Sequence, residues 1–175
     1  MSSPITKRAK AALLHEFPAT EFRGRSWLME QPDWIVSGVS LEPSAYTRDF
    51  LIIKPLLLAL FVPTDVLHFA LPNALGPPRD LLWPENERAG DEALVSHVRQ
   101  RVVPWLNQSH TPEALARALA KARTDDPYAL EVGHAAWVMM RRHDDAARAF
   151  KRLAKSVHRD QTPWGDEILA RAAAL

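Results

Sequence analysis

The seven histidines are the residues best suited to chemistry, because imidazole binds metals and transfers protons near neutral pH. No two of them form an H-x-x-x-H or H-E-x-x-H pair, and the chain has no cysteine, so a zinc site would need histidine and carboxylate alone. Potential ligands cluster at His143-Asp144-Asp145, where an acidic pair at a helix start also suits the helix dipole. We therefore expect no metal cofactor. The histidines are His15, His68, His97, His110, His134, His143 and His158.

The sequence supports a catalytic nucleophile or a phosphate-binding loop as little as it supports a metal site. None of the nine serines lies in a G-x-S-x-G elbow, in which a strained turn presents a catalytic hydroxyl. The six glycines are too far apart for a dinucleotide-binding G-x-G-x-x-G or a Walker-type loop. We expect no nucleotide cofactor, and an enzyme with an active site assembled from distant residues is the third of three function classes left open.

The strongest local charge lies between Arg141 and Arg159, where seven lysines or arginines accompany two aspartates. Four of these cations recur at i, i+4, i+7 and i+11, which places them along one face of a helix. We call them the basic stripe: Arg148, Arg152, Lys155 and Arg159. Such a stripe favours binding to nucleic acid or to an acidic protein, and it is also typical of a solvated outer face.

Tryptophans supply the other candidate for binding. Trp83 stands in a proline-rich loop, and an exposed tryptophan there would mark a protein interface. Packing of the same loop against a sheet is the alternative. Trp137 and His134 lie in the apolar segment Val132–Met140, so we expect both in the core, the histidine with hydrogen-bond partners.

The first predicted element of the fold is an N-terminal helix. Residues 4–17 carry apolar side chains at helical spacing. Ser2 or Ser3 can cap the helix with Pro4 in its first turn, and Pro18 ends it.

Short apolar runs separated by turn residues then predict three or four strands of an antiparallel sheet, because parallel pairs need long crossovers. Proline cannot donate a hydrogen bond to a neighbouring strand, so Pro55 predicts that part of the third run is an edge strand or a bulge. The sequence from Asn73 to Asn86 predicts a loop. The runs are 22–30, 34–41, 48–62 and 66–71.

From residue 90 onward the pattern predicts helices. One extends from Asp91 to Leu106, and a cap residue followed by proline marks several later starts. The expected fold class is α+β, with an N-terminal helix, a small antiparallel β-meander and a C-terminal bundle of four to five helices. The predicted later starts are Thr111-Pro112, Asp126-Pro127, His143-Asp144-Asp145 and Thr162-Pro163.

Length and net charge limit the number of domains and the kinds of partner that the whole chain can have. A chain of 175 residues suits a single domain, with a helix-plus-sheet section at about 1–84 and a helical section at about 90–175. A net charge of +1 gives no overall attraction to nucleic acid or lipid. The most apolar stretch, 50–62, is shorter than the roughly 20 residues that cross a bilayer, and no apolar signal region is visible near residue 1. We expect a cytoplasmic protein without a membrane partner, from a GC-rich bacterial genome.

Two resemblances bear on function. Ala135-Ala136-Trp137 with the residues from Asp144 to Phe150 resembles a fragment of a tetratricopeptide-type repeat, and an ordinary helical hairpin explains it equally well. The stretch from Phe22 to Val62, with a strand running into Phe50-Leu51-Ile52-Ile53, resembles small bacterial α+β domains of the immunity-protein type. That resemblance implies a non-catalytic protein-interaction module of the immunity or inhibitor type. A nucleic-acid-associated protein that uses the basic helix face at 141–159 is the alternative.

Overall fold

The computed structural model describes residues 3–29, 34–45, 50–63, 70–84, 88–161 and 164–175. It shows an α+β fold with an N-terminal helix, an antiparallel sheet and a C-terminal group of helices, as the sequence predicts. The chain divides into two compact units. Unit 1 comprises Met1–Pro32, Val36–Leu57 and Pro77–Asn107, and unit 2 comprises Asp33–Ile35, Leu58–Gly76 and Gln108–Leu175. The single-domain organisation stays a prediction.

Helix α1, Pro4–Glu16, opens unit 1. The Ser3 hydroxyl accepts a hydrogen bond from the Thr6 amide at 3.3 Å, and proline suits the first turn because it has no amide hydrogen to satisfy. The helix ends at Phe17, whose amide donates to the Leu13 carbonyl. The predicted cap and termination are thereby confirmed.

The sheet has five strands in the order β1-β2-β3-β4-β5, so each strand lies beside the next one in sequence. Register pairs show that β1 and β2, β2 and β3, and β4 and β5 are antiparallel. The predicted β-meander is confirmed, with five strands where the sequence predicts three or four. The strands are β1 Glu21–Arg23, β2 Ser26–Leu28, β3 Ile35–Pro43, β4 Phe50–Ala59 and β5 Leu81–Pro84.

Several predicted boundaries of this sheet are wrong. The run 22–30 is a hairpin rather than one strand, because Gly24 turns the chain at φ +61° and Arg23 pairs with Ser26. The predicted loop 73–86 contains β5, which pairs with residues 50–53 of β4. In the predicted fourth strand, Leu71 lies in helix α2, Ala70–Ala74, and positions 66–69 are outside the described residues.

The predicted helix from Asp91 to Leu106 is present and starts three residues earlier. Helix α3, Arg88–His97, continues through a π-helical turn, Val98–Val102, into helix α4, Val103–Asn107. Pro104 cannot donate an amide hydrogen to the helix ladder. The wider turn directly before it accommodates that missing donor.

Unit 2 contains α2 and the four last helices. The Thr111 and Asp126 side chains accept from the Ala114 and Ala129 amides at 3.2 and 2.8 Å, which confirms two predicted starts. The start at His143 is also confirmed, whereas Thr162-Pro163 lies outside the described residues. These helices are α5 Pro112–Lys121, α6 Pro127–Met139, α7 His143–Asp160 and α8 Gly165–Ala173.

Helix α6 is the centre of unit 2, since every residue from Pro127 to Trp137 is buried. The ring nitrogens Nδ1 and Nε2 of His134 each lie 3.0 Å from a backbone carbonyl oxygen, of Ala146 and of Ala172. The core positions predicted for His134 and Trp137 are thereby confirmed. One turn earlier, the buried Glu131 carboxylate accepts two hydrogen bonds from Arg171 at 2.9 and 3.0 Å, and this pair ties α6 to α8.

Candidate functional site

The basic stripe lies on the exposed side of α7. It stands there because α7 is amphipathic: Ala146, Leu153 and Val157 are buried on the opposite side. The acidic first turn, with Asp144 and Asp145, favours the helix start through the helix dipole. The stripe therefore follows the helix for three turns along one edge of the core of unit 2.

Two hollows open beside the stripe, along the line where α7 meets the hairpin of α5 and α6. We call this line the α7 seam. The first hollow has a volume of about 200 Å³ and the second about 190 Å³. The first is lined by Leu119, Ala120, Leu130, Trp137, Asp145, Arg148, Ala149 and Arg152. The second is lined by Asp125, Leu130, Arg152, Lys155, Ser156 and Arg159.

Arg152 lies between the hollows and holds the end of α5 in place. Its guanidinium donates to the carbonyl oxygens of Ala120, Ala122 and Thr124 at 3.2, 3.1 and 3.4 Å. The last carbonyls of a helix lack partners within the helix, and a cation there also opposes the negative end of the dipole. One turn later the Ser156 hydroxyl donates to the Asp125 carbonyl. This clamp on the α5–α6 connection is a role that the sequence did not indicate.

The other stripe residues differ in their partners. Arg148 forms an ion pair with Asp145, and Arg159 forms one with Asp125 at an Nη1–Oδ2 distance of 2.9 Å. Lys155 is exposed and makes no ion pair with any residue that the structure describes. Exposed ion pairs stabilise a fold by at most about 1 kcal/mol, so these contacts leave the arginines able to exchange partners.

The chemistry available in the α7 seam is that of binding. Four cations and two carboxylates give the lining a formal charge of +2, and the floor is apolar at Leu119, Leu130 and Trp137. Among the described lining residues the only hydroxyl is that of Ser156, which already donates to a backbone carbonyl. An apolar floor rimmed by charge suits an apolar side chain flanked by ionic groups.

The alternative of an exposed Trp83 is wrong, and the packing alternative is correct. Pairing of β5 with β4 places Trp83 opposite Leu51, and both side chains are fully buried. The indole nitrogen donates to the Gly90 carbonyl, and the Arg8 guanidinium lies 5.4 Å from the ring centroid. Trp83 is therefore unable to present its ring to a partner in this fold.

Unit 1 has a larger concavity that sequence reasoning missed, a groove of about 600 Å³ between α1 and α3. Ion pairs cross it at both ends: Arg8 with Asp91 at 2.8 Å, and Glu16 with Arg99. Arg8 and Glu16 on α1 are eight residues apart, and so are Asp91 on α3 and Arg99 in the π-helical turn that follows it, with the charges in opposite order. That matched spacing was a signal in the sequence, but it identifies a pair only once the two helices are known to be neighbours.

Three groups outside the α7 seam have displaced pKa values. A hydrogen bond to Glu42 raises the pKa of Lys54. Burial lowers the pKa of His97, with a further contribution from Arg101, and its Nε2 has no hydrogen-bond partner among the described residues. Burial raises the pKa of Tyr128 to about 12. Asp80 makes a smaller, raising contribution to the pKa of both Lys54 and His97.

Within the described parts of the chain, no three histidine, aspartate or glutamate residues converge on a possible metal position. No described helix combines the length and apolar character needed to cross a membrane. Comparison with protein-family models, with curated proteins and with solved structures finds no match to this chain.

Proposed function

We propose that this chain is a non-catalytic protein-interaction module of the bacterial cytoplasm. It binds another protein at the α7 seam. Its role is that of an immunity or inhibitor-type protein, which covers a functional surface of its partner. One observation carries the proposal: the whole basic stripe lines two adjacent hollows with an apolar floor. Interfaces combine buried apolar contacts with a polar, charged rim, and arginine is enriched in them.

The composition of the rim favours a protein over nucleic acid. Asp125 and Asp145 stand among the cations and would repel a phosphate backbone. Arg152 is held by three backbone carbonyls of its own chain, which limits its reach toward a phosphate. The apolar floor would gain nothing from a sugar-phosphate strand.

A second apolar feature of unit 2 supports the same class of function. Trp34 is 49% exposed and Leu60 is 53% exposed, and the Leu60 amide donates to the Trp34 carbonyl at 2.9 Å. Large apolar side chains exposed beside each other are typical of surfaces that contact proteins. A standard interface needs about 800 Å² from each partner, more than two hollows supply, so further exposed surface must contribute.

The test is capture of the partner from the native host by the tagged chain, followed by binding measurements with variants of the seam. Ala149→Leu fills the first hollow, and Lys155→Glu reverses a rim charge. Ala147→Leu on α7 and Lys7→Glu on α1 are the matched controls, because both residues are exposed and line neither hollow.

We expect each seam variant to weaken binding of the captured protein about tenfold, since an overfilled pocket or a like-charge contact costs about 1 to 3 kcal/mol. The controls should stay within about twofold. Equal binding by seam and control variants, or no partner captured at all, would contradict the proposal. The immunity or inhibitor role requires in addition that the purified chain suppress an activity of the captured protein.

A further inference from the structure

We infer that the α7 seam takes an acidic amphipathic helix, with carboxylates at positions i and i+7 and an apolar side chain at i+3 or i+4. The inference rests on the proposed function and specifies its partner. It follows from three observations: which cations a partner can reach, how far apart they stand and what lies between them.

Arg148, Lys155 and Arg159 are the stripe cations within a partner's reach. The Lys155 ammonium has three donors and no ion pair to a described residue, and the Arg148 side chain is 70% exposed with a single carboxylate partner, Asp145. Arg152, by contrast, is engaged by three carbonyl oxygens. A binding segment therefore meets Arg148 at the first hollow and Lys155 at the second, with Arg159 one turn further along α7.

The distance between these cations sets the spacing of the carboxylates. Seven residues separate Arg148 from Lys155 on α7, which corresponds to about 10 Å along the helix axis. On a partner helix lying alongside α7, carboxylates seven residues apart span the same distance on one face. In an extended strand about 10 Å corresponds to three residues, and side chains three apart point to opposite faces, so a strand would engage only one cation.

The residue between the carboxylates must be apolar. Arg152 stands between Arg148 and Lys155, but its guanidinium is held by carbonyl oxygens at the end of α5, and the other described residue that lines both hollows is the apolar Leu130. On a partner helix the midpoint of i and i+7 is occupied by i+3 and i+4, which share that face. A leucine or phenylalanine there would cover the small exposed part of Leu130 and displace water from the seam.

The probes for the test are fluorescein-labelled, lactam-bridged helical peptides, measured by fluorescence anisotropy with the full chain at about 0.15 M salt. The first peptide carries Glu at i and i+7 and Leu at i+3 and i+4. A second replaces both Glu by Gln, a third replaces both Leu by Ala, and a generic DNA duplex is the fourth probe.

We expect the first peptide to bind about tenfold more tightly than the second, because each exposed ion pair contributes a few-fold in affinity. It should also exceed the third peptide and the duplex. The variant pair Arg148→Glu and Lys155→Glu should lose the first peptide and bind a peptide with Lys at i and i+7 instead. This exchange of specificity distinguishes a direct contact from a variant that has failed to fold. Lys7→Glu, at an exposed lysine of α1 that lines neither hollow, should bind the first peptide within about twofold of the unaltered chain.

Equal binding of the Glu and Gln peptides, or tighter binding of the duplex, would overturn the inference. An equal effect of Lys7→Glu would do so as well. Failure of the peptides can be separated from failure of the proposed function. If the captured host partner still distinguishes Ala149→Leu from Ala147→Leu while no peptide binds, the seam is an interface for a partner of different chemistry. If it does not distinguish them, the proposed function fails too.

Discussion

At the scale of single residues, Arg152 shows how a charged position can look functional in sequence and be structural in the fold. Its i+4 spacing from Arg148 predicts membership in a binding stripe. In the structure its donors are directed at the end of α5, where they complete the helix terminus. The same residue thereby fixes the wall of both hollows, so the shape of the seam depends on it even without direct contact to a partner.

This role gives a stability prediction. Arg152→Ala should lower the free energy of unfolding by about 1 kcal/mol, because several charge-assisted hydrogen bonds to helix-terminal carbonyls are lost at a solvated site. Lys151→Ala, the neighbouring exposed cation, should stay within about 0.5 kcal/mol of the unaltered chain. Urea unfolding of both variants is the measurement. Equal stabilities would show that the hydrogen bonds of Arg152 to the end of α5 do not stabilise the fold.

Tyr128 gives a prediction on pH dependence. Burial raises its pKa to about 12 in the folded chain, above the ordinary value of 10.0, so the folded state holds the phenolic proton more tightly than the unfolded state. Stability that is fully present below pH 10 is therefore lost as the pH rises toward 12. Tyr128→Phe has no such proton to lose. Chemical denaturation between pH 10 and 12 should show a shallower loss of stability in this variant, and parallel curves would contradict the assignment.

At the scale of elements, the helix starts of unit 2 depend on single side chains. Asp126→Ala should cost about 1 kcal/mol, since its carboxylate accepts from the Ala129 amide at the start of α6. Asp125→Ala removes the adjacent carboxylate and its exposed pair with Arg159, and it should cost less than about half as much. Thermal unfolding of the two variants compares a cap with a surface charge at neighbouring positions. A larger loss in Asp125→Ala would contradict the cap.

The same elements show what the sequence can and cannot predict. Caps such as Ser3 and Thr111 act over three residues, so the signal and its effect lie in the same short segment. Strand β5 is different, because Leu81–Pro84 becomes a strand only by pairing with residues 50–53. Its proline-rich surroundings are typical of a loop, and tertiary pairing overrides that local preference.

In the candidate site, too, local features could be predicted from the sequence and features that depend on tertiary packing could not. Periodicity on one helix was enough to place the basic stripe on a single exposed face of α7. The hollows beside it required the position of α5 and α6 against α7, which no pattern within α7 specifies. Trp83 was ambiguous for the same reason, since its burial depends on its pairing position opposite Leu51.

At the scale of the whole molecule, local and total charge differ. Residues 141–159 carry seven lysines or arginines against two aspartates, yet the chain as a whole has a net charge of +1. Salt screens exposed charges over a Debye length of about 8 Å, so the basic stripe acts on a partner only at close range. Attraction by the stripe is short-ranged, which suits recognition of a complementary acidic surface after encounter better than capture of a long polyanion.

The final prediction concerns the alternative that the basic stripe binds nucleic acid. If all four stripe residues contacted duplex phosphates, the slope of log affinity against log salt would be about −3 to −4, and Arg152→Ala with Lys155→Ala would reduce it by about two. We expect instead that anisotropy with a labelled duplex shows no submicromolar binding at about 0.15 M salt, because Asp125 and Asp145 offset two of the four cations. Lys151→Ala is the control for a general charge effect. Submicromolar binding with the steep slope, reduced by the stripe variants and not by this control, would make the basic stripe a phosphate-binding surface in place of a protein interface.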